Sequence, residues 1–252
     1  YEISVRDWSS DVCSSDRMPQ SAEHLAALHA LDVRHGLCVI TRSDLADPRS
    51  ASQQALAEIA RTSLGEVEAV AVSAPTGTGL PELRAALEKL LAALPRPDLS
   101  APVRLWIDRS FSIRGSGTVV TGTLAEGRLR VGDELEIANL GRTAKVRGLQ
   151  SLGAQASEVD AVARVAVNLR GIERQELHRG DALLTPQRFR RSDVIDVRVH
   201  GDPVADLPKS VMLHIGSAAV SARVRPLGVD TARLTLAQPL PLRIGDRGLP
   251  AF

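Results

Sequence analysis

Apolar positions recur with two different periods in the two halves of this chain. Between Met18 and Leu94, helical and strand patterns alternate. Leu25, Leu28 and Leu31 lie roughly on one stripe at helical spacing, and Ser21 is placed to cap that helix. Gly36 closes the unit, and Leu37–Ile40 is a short continuous apolar run of the kind a strand buried on both faces shows. A second helix is predicted over about residues 51–61, a strand over 69–72 and a third helix over 81–94. Pro81 suits the first turn of that last helix, and Leu83, Leu87, Leu90, Leu91 and Leu94 form its predicted buried face. Strand and helix in alternation predict a parallel sheet that takes ligands at the carboxyl ends of its strands.

Beyond this the period becomes that of strands. Residues 95–102, Pro-Arg-Pro-Asp-Leu-Ser-Ala-Pro, read as a stiff polar linker. In residues 107–124, two β-rich runs flank a glycine pair, Gly115 and Gly117, which predicts a hairpin. Val194–Val199 and Ser221–Arg225 alternate as half-buried strands do. Three similar turns, Val131-Gly132-Asp133, Arg179-Gly180-Asp181 and Ile244-Gly245-Asp246, adjoin short β segments, with Gly supplying positive φ and Asp capping the turn. The expected fold class is α/β followed by all-β: part of a parallel sheet over residues 18–94, a barrel over 103–187 and a second, incomplete barrel over 188–252. Residues 1–17 have neither period and resemble a translated sequencing-adapter sequence; they are read as a non-native leader outside the fold.

Composition narrows the field. The 252 residues leave room for two domains or three small ones. Two cysteines, Cys13 and Cys38, stand in unlike contexts and make neither a disulfide framework nor a metal motif, so a reducing cytoplasm fits. His24 and His29 miss the i, i+4 spacing of a helical zinc pair, and no apolar run is long enough to cross a bilayer. Residues 1–100 hold 9 Lys/Arg against 14 Asp/Glu, and the rest hold 22 against 16, an excess too mild by itself to point to nucleic acid.

The candidate chemistry begins at the two predicted strand ends, which carry Thr41-Arg42-Ser43-Asp44 and Ser73-Ala74-Pro75. These resemble the fourth and fifth nucleotide motifs of GTPases. The Asp44 carboxylate can accept hydrogen bonds from guanine N1 and N2, and would repel the acceptor edge of adenine. The Ala74 N–H can meet the guanine carbonyl, with Thr41 and Ser73 framing the two loops, and the stem of Arg42 can lie against the base where the family has Lys. On its own, Asp44 is more often a cap for the following segment. No Gly-x-x-x-x-Gly-Lys-Ser/Thr loop and no Asp-x-Pro-Gly-His stretch occurs in the chain, so magnesium-binding residues are missing and no GTP hydrolysis is expected of it alone.

The string from Ile107 to Leu124 resembles the opening of the second domain of elongation factor Tu-like translational GTPases. Asp108-Arg109-Ser110-Phe111, Leu213-His214-Ile215-Gly216-Ser217-Ala218 and Leu236-Ala237-Gln238-Pro239-Leu240 are similar to the bacterial selenocysteine-specific elongation factors, and Met18-Pro19-Gln20-Ser21-Ala22-Glu23-His24 matches the family's Met-Pro-Gln-x-x-x-His. The resemblance runs from Met18 to about Leu249 and implies a chain truncated at both ends, beginning inside a P-loop GTPase-type domain. It implies GTP and Mg²⁺ as cofactors of the intact protein, and selenocysteinyl-tRNA and the ribosome as partners. A messenger-RNA hairpin is a partner only of the full-length form, and no membrane is involved. It also implies an aminoacyl pocket built from Asp108, Arg109 and Arg164, in which guanidinium charge favours an ionised selenol over a neutral serine hydroxyl. On spacing alone, Asp108 and Arg109 read as a surface ion pair and Arg164 as a snorkelling strand residue. Two other readings stand beside this one: another tRNA-carrying translational GTPase such as an initiation factor subunit, and a non-catalytic RNA-binding β-barrel protein.

Overall fold

The computed structural model describes residues 19–113, 117–200 and 203–251. The expected leader, Met18, Gly115 of the expected glycine pair and Phe252 lie outside the described residues. The chain divides into two compact units between Pro95 and Arg96.

The first unit holds α1 (Pro19–Ala30), β1 (Cys38–Ile40), α2 (Arg49–Ile59), β2 (Ala69–Ala71) and α3 (Leu80–Ala93). β1 and β2 pair in parallel, Val39 opposite Val70. Their apolar side chains reach both faces, Cys38 and Ile40 towards Ala55 and Ile59 of α2, Val70 and Val72 towards Ala86 of α3. Two expectations need correction. Ser21 lies within α1 and does not cap it. In α3 the buried residue is Ala86, while Leu91 and Leu94 are exposed. A small residue lets the helix approach the strand closely, and the outer leucines then have nothing to cover among the described residues.

The second unit is antiparallel β. Its strands are β3 (Arg104–Ile113), β4 (Gly117–Leu124), β5 (Arg128–Arg130), β6 (Glu134–Ile137), β7 (Arg142–Ser151), β8 (Ala154–Ala156), β9 (Glu158–Asp160), β10 (Ala163–Arg170), β11 (Ala182–Leu184), β12 (Ser192–Arg198), β13 (Ser210–Ile215), β14 (Ala218–Pro226), β15 (Thr231–Leu240) and β16 (Leu249–Ala251). The order β10-β4-β3-β11-β6-β7 closes on itself because β7 also pairs with β10, a six-stranded barrel. Leu105, Ile107, Val120, Ile137, Val167 and Leu183 fill it with no exposed surface, each contributing about 1.5–3 kcal/mol of burial. β8 adds to the barrel sheet beside β7, β5 pairs with β9, and the last five strands form a second sheet, β12-β15-β14-β13-β16. Its inner face shows in β14, where Ala218, Val220, Ala222 and Val224 are buried and the residues between them exposed. No pairing closes this sheet among the described residues.

The three glycine–aspartate turns share one construction. Asp133, Asp181 and Asp246 each accept a hydrogen bond at 2.7 Å from the backbone N–H three residues before, and Gly132, Gly180 and Gly245 have φ of +99°, +96° and +92°. That is the left-handed region a side chain would strain, which is why glycine stands there.

Candidate functional site

The loops after β1 and β2 leave the small sheet at the same end, as parallel pairing requires. The Val72 N–H donates to the Ile40 carbonyl at 2.8 Å, and the Ser43 N–H donates to the Val72 carbonyl at 3.0 Å. The Thr41–Asp44 and Ser73–Pro75 segments are therefore stitched together by backbone. Ser73 is fully buried, and its carbonyl accepts from the Gly77 N–H at 2.9 Å, which fixes the second loop. Arg42 takes φ of +53°. Asp44 and Ala74 are exposed, and the Asp44 carboxylate has no hydrogen-bonding partner among the described residues. A cap it is not: α2 begins at Arg49, whose N–H is met by Asp47.

On the barrel, β3 carries a bulge. Ile107 pairs with Gly122 and Arg109 with Thr121, leaving Asp108 as the extra residue. A bulge re-aims a side chain. The Asp108 carboxylate accepts from Thr121 Oγ1 and from Arg164 Nη1, both at 2.5 Å. Arg164 lies opposite Thr123 on β10. Burial pushes the Asp108 carboxyl up, yet the hydrogen bonds from Arg164 and Thr121 and the charges of Arg164 and Arg109 hold it below the ordinary carboxylate range. Arg109 is exposed and acts on Asp108 through its charge. The three residues named from the sequence thus form one cluster, with Arg164 56% exposed and Asp108 23%. It can present fixed positive charge to an anion, at a place only partly shielded from solvent.

Two residues escaped the sequence reading. Thr121 steadies Asp108 from the next strand, and only register reveals that. Asn168, on the same face of β10 as Arg164, has a buried Oδ1 without a partner. Two concavities of the second unit do not include the Asp108 cluster. One of about 660 Å³ lies between the linker end and Arg128, Arg130 and Arg188; one of about 390 Å³ is lined by Arg147 and Arg170. In the first, Glu158 and Asp160 neutralise Arg128, and Glu158 also pairs with Arg130. The chemistry, more than the volume, therefore marks the Asp108 cluster as the candidate.

Residues 117–184 match the family described as elongation factor Tu domain 2. The selenocysteine-specific elongation factor of Desulfomicrobium baculatum is 36% identical over 245 residues, covering 91% of this chain and 39% of that protein. The corresponding protein of Escherichia coli strain K12 is 31% identical, covering 93% of this chain and again 39% of its own length. The crystal structure of a bacterial selenocysteine-specific elongation factor, EF-Sec, superposes with a TM-score of 0.85 at 26% identity, over 92% of this chain and 40% of that one. This chain spans about two fifths of the length of these relatives. Sequence similarity over nine tenths of its length relates the chain to the selenocysteine-specific elongation factors, and its residues 117–184 to elongation factor Tu domain 2.

Proposed function

We propose that this chain is the cargo-gripping part of a GTP-dependent elongation factor that delivers selenocysteinyl-tRNA to the ribosome. The observation that carries the reading is the Asp108–Arg164 pair with Arg109 beside it, on the outer face of the barrel. A selenol is largely anionic at neutral pH and a serine hydroxyl is not. Two guanidinium groups on a β scaffold favour the anion, and Asp108 holds one of them in place. Discrimination then rests on charge, since the two cargoes are close in size.

Residues 18–94, in this reading, belong to a P-loop GTPase-type sheet and supply the guanine contacts. Asp44 would meet guanine N1 and N2, the Ala74 N–H its carbonyl, and Arg42 the base plane, with Thr41 and Ser73 holding the loops. Residues 103–187 would be the tRNA-gripping barrel and 188–252 the next domain. Binding of phosphates and Mg²⁺, hydrolysis and reading of a messenger-RNA hairpin belong to the whole protein, and no residue of this chain is assigned to them.

The test compares protection of the aminoacyl ester in selenocysteinyl-tRNA and seryl-tRNA by this chain. Preferential protection of the first supports the reading; equal protection of both removes it. For the first unit, GDP should displace a fluorescent guanine nucleotide better than ADP does. Equal displacement would take the guanine role from Asp44 and Ala74.

A further inference from the structure

The segment Ile215-Gly216-Ser217-Ala218 bears family resemblance yet has no part in the cluster described above. It forms the two-residue turn between β13 and β14, where Ile215 pairs with Ala218 and Gly216 has φ of +57°. Glycine first in such a turn suits the twist of a hairpin. The turn is seated on the barrel. A Cβ added at Gly216 would fall 2.4 Å from Trp106 Cδ1, so no side chain fits between them. The Ser217 hydroxyl donates to the Ile107 carbonyl at 2.6 Å.

Ile107 is the residue before the bulge, and its backbone is held on every side. Its N–H donates to the Asp181 carbonyl at 2.8 Å, and its carbonyl also accepts from the Gly180 N–H at 3.0 Å. Gly180 in turn lies against the second sheet, where an added Cβ would sit 3.1 Å from Ala218 Cα. The Ile107 carbonyl and the Asp108 nitrogen share one rigid peptide plane. Two donors on that oxygen set the tilt of the plane, and the tilt sets the direction in which the Asp108 Cα–Cβ bond leaves the strand. Ladder pairing does not do this at Asp108, because the bulge leaves it without an opposite residue on β4.

We propose that Ser217 is a positioning residue: from the second sheet, through the Ile107 carbonyl, it aims Asp108 at Arg164. The consequence for cargo choice rests on the function proposed above; the consequence for Asp108 does not.

The full chain is tested as Ser217→Ala and Ser217→Thr, the second keeping the hydroxyl. In the free protein, the carbonyl-carbon NMR titration of Asp108 should move up towards an ordinary carboxylate in Ser217→Ala and stay low in Ser217→Thr. Asp246, held elsewhere by Arg104, should titrate unchanged in both and reports that the fold is intact. If Ser217→Ala does not fold, Ser217→Cys makes the same comparison with a weaker donor. An Asp108 titration identical in the wild type and the hydroxyl-less variant overturns the proposal. In the protection assay, Ser217→Ala should lower the selenocysteinyl-over-seryl preference by about 3- to 10-fold, the reach of one hydrogen bond, and Ser217→Thr should restore it. An unchanged preference in Ser217→Ala, with Arg164→Ala lowering it, overturns the link to cargo choice. An unchanged preference in Arg164→Ala removes the pocket reading instead, and the titration still decides on Ser217.

Discussion

Two aspartate–arginine pairs in the second unit use the same chemistry for different ends. Arg104 grips Asp246 with both guanidinium nitrogens, at 2.5 and 2.6 Å, and its Nη1 also donates to the Pro241 carbonyl at 2.9 Å. Both side chains are only 16% exposed. The guanidinium lies 5.6 Å from the Trp106 ring and 6.0 Å from Phe189, while Arg243 stacks on the other side of the seam, 4.4 Å from Phe189. This pair joins the barrel to the five-stranded sheet and presents little surface to any ligand. Arg164, by contrast, reaches Asp108 through one nitrogen and keeps more than half of its side-chain surface in solvent. A forked, shielded pair is a fastener; a half-exposed pair beside a second arginine can receive a charge from outside. Geometry and exposure, and not residue type, separate the two.

The sharpest way to break the comparison is at the fastener. Arg104→Ala leaves the largely shielded Asp246 carboxylate without its main partner, and should cost about 3 kcal/mol in equilibrium denaturation. A loss below about 1 kcal/mol would place it with ordinary surface pairs. Arg164→Ala should show the reverse profile: a stability change under about 1 kcal/mol, with a loss of about tenfold in selenocysteinyl preference measured by ester protection. Thr121→Val lies between, removing one hydrogen bond to Asp108 for about 1 kcal/mol and letting its titration rise.

Acidity tests the same contrast. Burial raises Asp246, but the Arg104 and Arg243 contacts outweigh it and hold its carboxyl below the ordinary range, as those of Arg164 and Thr121 do for Asp108. A depressed carboxyl contributes stability that is present above the unfolded value of about 3.9 and is lost as pH falls through the folded one. Both pairs therefore weaken below about pH 4. Asp181, raised by burial, acts with the opposite sign: its contribution is full below about pH 4 and fades as pH rises through its folded value. In Arg104→Ala the acid limb of the stability curve should flatten, and in Arg164→Ala it should flatten less. The smallest effect is expected of Ile244→Ser. That side chain is fully exposed on the turn that carries Asp246, and its replacement should stay within about 0.5 kcal/mol by thermal melting.

Much of this architecture was legible along the chain. Leu37–Ile40 and residues 69–72 announced themselves as buried strands because both faces of a parallel pair must be apolar. The glycine–aspartate turns were legible for a local reason, since each positive φ and each capping bond is satisfied within four residues. Leu91 and Leu94 misled because an apolar stripe records what a helix is able to bury and not what lies opposite it. Asp108, Arg109 and Arg164 could be named from resemblance, yet their meeting depends on a bulge, and a bulge leaves little trace in composition. Thr121 and Ser217 act across strand pairs and across the seam, 13 and 110 residues from their partners, where no sequence period reaches.

Residue order alone determined the local matters: where strands and helices run, which turns demand glycine, and which loops follow the parallel strands. These depend on φ, ψ and on apolar side chains spaced 2 or 3.6 residues apart, all short-range properties of the chain. Tertiary structure decided which arginine fastens and which stays half in solvent, and that the turn bearing Ser217 abuts the strand bearing Asp108. The reason is that desolvation and hydrogen-bond direction are set by neighbours brought together only when the sheets close and pack.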